Sequence, residues 1–190
     1  MKSQASGEVA LIISIPEQKL AVVQGNTRIA EYPVSTSRYG VGDRPRSFTT
    51  PIGLLEVADK TGAGAREGAV FRSKRLTGEV LQPNSPGRDP IVTRILHLRG
   101  LSFANSRAYD RGIYIHGTTE EALIGRPASF GCIRMKSKDV VHVFDQTQVG
   151  TKIDIVNTSI KQAIADGDLP REIERERIVA SANAGWLARK

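Results

Sequence analysis

Residues 114–135 read YIHGTTEEALIGRPASFGCIRM and contain the single cysteine of the chain, Cys132, and one of its three histidines, His116. Just before and into this stretch, Ile113 and Ile115 alternate with Tyr114 and His116. That is the period of a strand with one apolar face, so the histidine points away from that face. Thr118 or Thr119, followed by Glu120 and Glu121, predicts a short capped helix that Gly125 and Pro127 end. The chain then turns through Ser129, Phe130 and Gly131 into Cys132, with the glycine allowing a tight backbone and close approach of a substrate.

A lone thiol and a histidine on two different backbone elements form the pattern of a cysteine nucleophile and its base. A free thiol, with a pKa of ~8.5, is mostly protonated at neutral pH and needs an imidazole to hold or accept its proton. His116 is the best-placed candidate. The N–H groups around Gly131 and Cys132 are candidate donors to a developing oxyanion. The other nitrogen of His116 needs a partner, for which the Gly117 carbonyl and the Ser129 hydroxyl both qualify. Arg134 either pairs with a substrate carboxylate through its planar fork or is a surface or sheet-edge arginine.

Two other readings of Cys132 stand beside this one. Free cysteines are often buried and inert. Three histidines and one cysteine also make a candidate zinc set, but positions 97, 116, 132 and 142 contain no close C-x-x-C or H-x-x-x-H pair. No metal and no other cofactor is expected. His97 lies in the apolar run IVTRILHLRGL and reads as a core residue, and His142 reads as a helix residue.

Towards the N-terminus, EVALIISI, KLAVVQ and TRIAEYPVS read as three antiparallel strands joined by turns at Pro16–Gln18 and Gly25-Asn26. Residues 36–50 form a loop, and Pro51-Ile52-Gly53 opens a strand, LLEVAD. From Lys60 to Pro90 no regular element is expected. A connection that long is either functional or a surface excursion. Its glycines follow G-x-G-x-x-x-G with no Gly-Lys-Ser/Thr after them, which excludes a phosphate-binding loop.

Towards the C-terminus, Ser137 is a candidate cap for a helix carrying Val140, Val141, Val143 and Phe144, and TKIDIVN is a last strand. Residues 159–190 change to helical spacing and predict two helices divided near Gly167–Pro170. The expected division is a domain over residues 1–157 and a helical extension over 158–190.

The net charge is +7 with 39% hydrophobic residues. The charge favours acidic partners, yet the basic residues are scattered and aromatic residues are only 5% of the chain, so nucleic acid is not expected. No apolar run approaches the roughly 20 residues of a membrane span. The first fifteen residues lack the order of a secretion signal.

The stretch from Tyr114 to Met135 resembles the signature of the L,D-transpeptidase catalytic (YkuD-type) domain, in which HG precedes a helical excursion and S-H-G-C-I-R-M. The resemblance extends to EQKLAVVQGNTRIAEYPVSTS, to TTPIGLLEV and to KIDIV, covering about residues 8 to 157. It implies a mostly β, sandwich-like fold, to which the reading of the residues adds the short helix after the catalytic turn and the helical C-terminal tail. It also implies a cysteine acyltransferase acting on peptidoglycan stem peptides in the cell envelope or periplasm. Carried onto this chain, Cys132 is the nucleophile, His116 the base, Gly117 the backbone partner of the histidine, and Ser129 part of the supporting shell. Arg134 anchors substrate or orders the turn, and Tyr114 and Phe130 face the substrate. The sequence departs from the pattern at Phe130, where the family has histidine; a phenyl ring transfers no proton. The resemblance leaves three functions open: transfer to an amine, transfer to water as a carboxypeptidase or endopeptidase, and a noncatalytic wall-binding module.

Overall fold

The computed structural model describes residues 8–166, and these form one mixed sheet of ten strands. The opening meander is β1 (Val9–Ser14), β2 (Lys19–Gln24) and β3 (Thr27–Pro33), all antiparallel. Gly25 takes φ +57° at the β2–β3 turn, the left-handed backbone that a two-residue hairpin connection requires. The apolar runs of β1 and β2 are nearly continuous because both of their faces are covered. Leu11, Ile13, Leu20 and Val22 face the main core, while Ala10, Ile12, Ala21 and Val23 lie under the helix Ile160–Asp166.

The main sheet continues through β10 (Lys152–Val156), β4 (Gly53–Thr61) and β7 (Ile91–Gly100), with β10 parallel to β1 and antiparallel to β4. The second edge of β7 carries β8 (Tyr114–Gly117), and β9 (Ile133–Met135) lies parallel to β8. Just past β3, Ser35 bridges Arg134 of β9 by two backbone hydrogen bonds of 2.9 Å. The sheet therefore curls until its two ends meet over the core. Helix α1 (Ser137–Gln146) closes one side with Val140, Val143 and Phe144, and the helix Ile160–Asp166 is α2. The mostly β architecture agrees with the sequence.

Three local expectations need correction. Lys60–Pro90 is not irregular throughout, because β4 runs on to Thr61 and a hairpin follows, β5 (Ala69–Arg72) and β6 (Arg75–Val80). Its turn is Ser73-Lys74, both with positive φ and neither a glycine, asparagine or aspartate, the residues that favour that backbone, so the local signal for it is weak. Tertiary contacts hold it instead: Lys74 Nζ lies 2.9 Å from both carboxylate oxygens of Asp59 and 2.8 Å from His97 Nδ1.

The excursion after β8 contains only a 3-10 turn, Glu121–Leu123, and no threonine side chain caps it. Thr118 and Thr119 spend their hydroxyls on Asp89 and the Arg88 carbonyl. Ser137 is the first residue of α1 rather than its cap; its N–H donates to Glu121 Oε1 at 2.8 Å and its hydroxyl shares a proton with Thr93 Oγ1 at 2.7 Å. In the C-terminal extension, α2 is the first of the two expected helices. The second lies outside the described residues.

Candidate active site

In the parallel β8–β9 pair, His116 stands opposite Arg134. Strand alternation sends Ile115, Ile133 and Met135 into the core and leaves Tyr114, His116 and Arg134 on the other face. Cys132, one residue before β9, continues that second row. A strand spacing of ~4.8 Å and a rise of ~3.3 Å per residue put the α-carbons of His116 and Cys132 about 8 Å apart on the diagonal, within side-chain reach.

His116 is buried, and its Nδ1 lies 2.8 Å from the Gly117 carbonyl oxygen. A carbonyl can only accept, so Nδ1 carries the proton and Nε2 holds the lone pair. Burial holds the imidazole below its ordinary pKa. The Gly117 carbonyl and Asp89 pull the other way, and Arg134 adds to the depression. The imidazole is therefore neutral and of fixed tautomer. Gly117 itself tolerates no side chain, since a Cβ there would stand 2.7 Å from the Val92 carbonyl oxygen of β7.

Cys132 is half-buried. Its Sγ accepts the Tyr114 N–H at 3.4 Å and donates to the Gly112 carbonyl at 3.4 Å, so the thiol is protonated. Burial pushes the thiol pKa up, against the opposing Tyr114 N–H, Arg134 and Arg111. The resting pair is a neutral thiol and a neutral imidazole. Tyr114 thus touches the sulfur through its backbone, and burial raises its phenol above the ordinary value.

The turn before Cys132 is built by hydroxyls. Ser129 Oγ donates to the Cys132 carbonyl at 2.6 Å and accepts the Gly131 N–H at 3.2 Å, and Thr50 Oγ1 donates to the Gly131 carbonyl at 3.0 Å. Of the two candidate partners of His116, Gly117 takes the imidazole and Ser129 takes the turn. Gly131 has φ +120°, and a Cβ there would sit 3.2 Å from the Thr49 carbonyl oxygen. Its N–H is spent on Ser129, whereas the Cys132 N–H has no acceptor among the described residues.

Arg134 is buried beneath the site instead of lining it. Its NH1 donates to Glu120 at 2.8 Å, and its NH2 stands 2.9 Å from Asp89 Oδ2, a charge contact off the hydrogen-bond direction. Asp89 also accepts from Thr118 Oγ1, the Thr119 N–H and Thr119 Oγ1. His97 behaves as the core residue expected, stacked on Tyr109 at 3.9 Å, with Nε2 donating to the Tyr109 carbonyl at 2.9 Å and Nδ1 accepting from Lys74 Nζ at 2.8 Å. The His142 ring lies 6.2 Å from that of Tyr32.

Cys132 opens into a cavity of about 590 Å³ shared with Arg46, Phe48, Arg107, Asp110, Arg111 and Phe130. Phe130, 49% exposed, meets Tyr39 at 5.8 Å and Phe48 at 5.7 Å between ring centroids, and the Arg38 guanidinium lies 4.6 Å above its ring. The position of the family's histidine is thus part of an aromatic rim. Arg111, with its side chain 8% exposed, pairs with Asp43 at 2.6 Å and donates to the carbonyls of Gly42, Ser47 and Thr49. It fixes the 36–50 loop as the cavity wall.

Sequence reasoning missed Asp43, Asp89, Arg107 and Arg111 as parts of this site. The one local signal was the Arg111-Gly112 pair at the entry to the strand. Their partners lie 29 to 69 positions away in the chain.

The sequence profile of the L,D-transpeptidase catalytic domain (YkuD) matches residues 8–155. The chain is 30% identical over 148 residues to YqjB of Bacillus subtilis (strain 168), a candidate L,D-transpeptidase, covering 77% of this chain and 70% of that protein. It is 45% identical over 158 residues to YcfS of Escherichia coli (strain K12), of the same designation, covering 80% of this chain and 45% of that protein. It therefore spans about half the length of YcfS. Among solved structures, an L,D-transpeptidase from Xylanimonas cellulosilytica aligns with a TM-score of 0.51 at 19% identity, over 80% of this chain and 62% of that one, a likeness of fold.

Proposed function

We propose that this chain, which belongs to the L,D-transpeptidase catalytic domain family, is a peptidoglycan acyltransferase with Cys132 as nucleophile and His116 as base. The observation that carries this reading is the 2.8 Å bond from His116 Nδ1 to the Gly117 carbonyl, which leaves Nε2 unprotonated on the strand face that Cys132 continues. The thiol rotates from the Gly112 carbonyl, and its proton passes to Nε2 as the sulfur attacks the scissile carbonyl of a stem tetrapeptide. The Cys132 N–H donates to the oxyanion. When the intermediate collapses, the C–N bond breaks and the imidazolium returns the proton to the departing amine, leaving a thioester on Cys132. The amine of a second stem attacks the thioester, His116 takes the amine proton, and the proton returns to the sulfur as it leaves.

This mechanism suits the resting electrostatics. Neutral thiol and neutral imidazole are matched for transfer at the moment of attack, without a standing thiolate exposed to oxidation. Arg134 orders the excursion after β8 by tying Glu120 and Asp89 together behind His116. Such an enzyme works in the cell envelope, where its substrate lies; among the described residues no helix is long and apolar enough to cross a membrane.

Intact-mass measurement after incubation with a carbapenem tests the nucleophile: a single adduct is expected, absent from Cys132→Ala. Tetrapeptide stems with and without an amine acceptor then separate transfer from hydrolysis. Cross-linked product is expected, and release of D-alanine with no cross-link would reject transpeptidation.

A further inference from the structure

The arginine expected to meet a substrate carboxylate, Arg134, has its fork filled by Asp89 and Glu120. Arg111 is likewise filled, by Asp43 and three carbonyls. Two other cations face the Cys132 cavity. The side chains of Arg46 and Arg107 line it, are exposed, and carry no ion pair or hydrogen bond among the described residues. The backbone at Arg46 is unusual too. It takes φ +58° directly after Pro45, a left-handed conformation that costs a non-glycine residue on the order of 1 kcal/mol. Arg111 holds the loop in that state through the Ser47 and Thr49 carbonyls, and Ser47 N–H bonds back to the Arg44 carbonyl at 3.2 Å. Arg107 is fixed from the opposite wall, its backbone N–H bonded to Asp43 Oδ2 at 2.7 Å. Asp43 therefore ties its own loop to the opposite wall, one oxygen taking the Arg107 N–H and the other the Arg111 guanidinium. Asp110 is the one acidic side chain facing the same space.

From these features we infer that the cavity is a carboxylate subsite, in which Arg46 and Arg107 hold the free C-terminal carboxylate of the peptide that Cys132 attacks. The inference rests on the acyl-transfer reading and adds the end of the substrate to it. In a tetrapeptide cleaved before its last residue, one residue, about 3.8 Å of chain, separates the attacked carbonyl from the terminal carboxylate. Cys132 and the two unengaged arginines line one cavity, as so short a span requires. An arginine pair reads a planar carboxylate by direction as well as charge, so a neutral amide at the same place loses both. The subsite selects stems with a free end and discriminates against peptides extended or amidated there.

The test compares a tetrapeptide stem with its C-terminal carboxamide, measuring kcat/KM for release of the last residue. The free acid should be favoured by about tenfold or more, the loss expected for hydrogen bonds to a charged group. In Arg46→Gln/Arg107→Gln the ratio should fall towards one, through a raised KM for the acid. Both side chains are exposed, so the melting temperature of the variant should match the parent, and Arg107→Gln alone provides a second variant. A parent ratio within twofold of one, or a ratio kept by the double variant, overturns the subsite. Failure of the acyl-transfer reading looks different, as no turnover of either peptide and no carbapenem adduct. In that case, calorimetric titration of Cys132→Ala with the same two peptides still decides: an acid preference lost with the arginines supports the subsite, and equal binding overturns it.

Discussion

Replacing Arg134 with methionine separates a structural arginine from a substrate-binding one. The Arg134 side chain is 9% exposed, and its partners Asp89 and Glu120 are 10% and 41% exposed. Removing one member of a buried pair costs about 3–5 kcal/mol, because the other charge stays buried without compensation. Here the cost lies at the low end, about 3 kcal/mol. Asp89 retains three donors from Thr118 and Thr119, and Glu120 can turn to water. For a chain of this size, each kcal/mol shifts the melting temperature by ~2–4 °C, so Arg134→Met should melt roughly 6–12 °C below the parent. Calorimetry or circular dichroism at pH 7 measures this, and added salt should change the difference little, since the pair is shielded from solvent ions. Arg134→Lys keeps the charge without the fork and should fall between the two. A melting temperature within 2 °C of the parent, together with a raised KM for stem peptide, would refute the assignment and return Arg134 to the substrate.

Three further outcomes follow from the site and the core. Alkylation of Cys132 by iodoacetamide should rise with pH through a midpoint above that of an ordinary thiol, because burial favours the neutral form; a reactive plateau below pH 6 would instead reveal a standing thiolate–imidazolium pair. Burial holds both His97 and His116 below the usual imidazole value, so the unfolded chain, titrating near ~6.5, takes up protons first as pH falls. Stability is then full above that pH and declines from about pH 6.5 downward. Urea unfolding between pH 7.5 and 5.5 should show the decline, with a shallower slope in His97→Gln, and a flat profile in the parent would contradict it. Phe130→His should fold normally, since the ring is half exposed, and should change the rate of carbapenem acylation without creating it. Acylation seen only in the variant would mark the parent as a noncatalytic module.

Much of the fold could be read locally. The meander, β4, β7, α1 and β10 follow from short apolar runs, from strand or helix periodicity, and from turn residues whose preferences act over two to four positions. The β5–β6 hairpin could not be read, because Ser73 and Lys74 turn the chain under the hold of Asp59 and His97, 15 and 23 residues distant from Lys74. The helix expected after β8 shrinks to a 3-10 turn: Thr118 Oγ1 accepts the Glu120 N–H in a local turn while donating to Asp89, and the Glu120 side chain is held by Arg134. At the site, Cys132 and His116 were legible as the single thiol and a histidine on the polar row of a strand. Gly131 was legible as the residue that lets the turn close.

By itself the sequence determined which residues have the chemistry to act, and on which strand and turn they stand, because side-chain type and backbone periodicity are local properties. Only the tertiary structure decided what each one does there. It fixed the imidazole tautomer through the Gly117 carbonyl, turned the thiol to Gly112, locked Arg134 between two carboxylates and left Arg46 and Arg107 unengaged in the cavity. The physical reason is that protonation and ion pairing depend on burial and on partners brought close by folding. At the site the nearest of these in sequence is one residue away and the farthest 69.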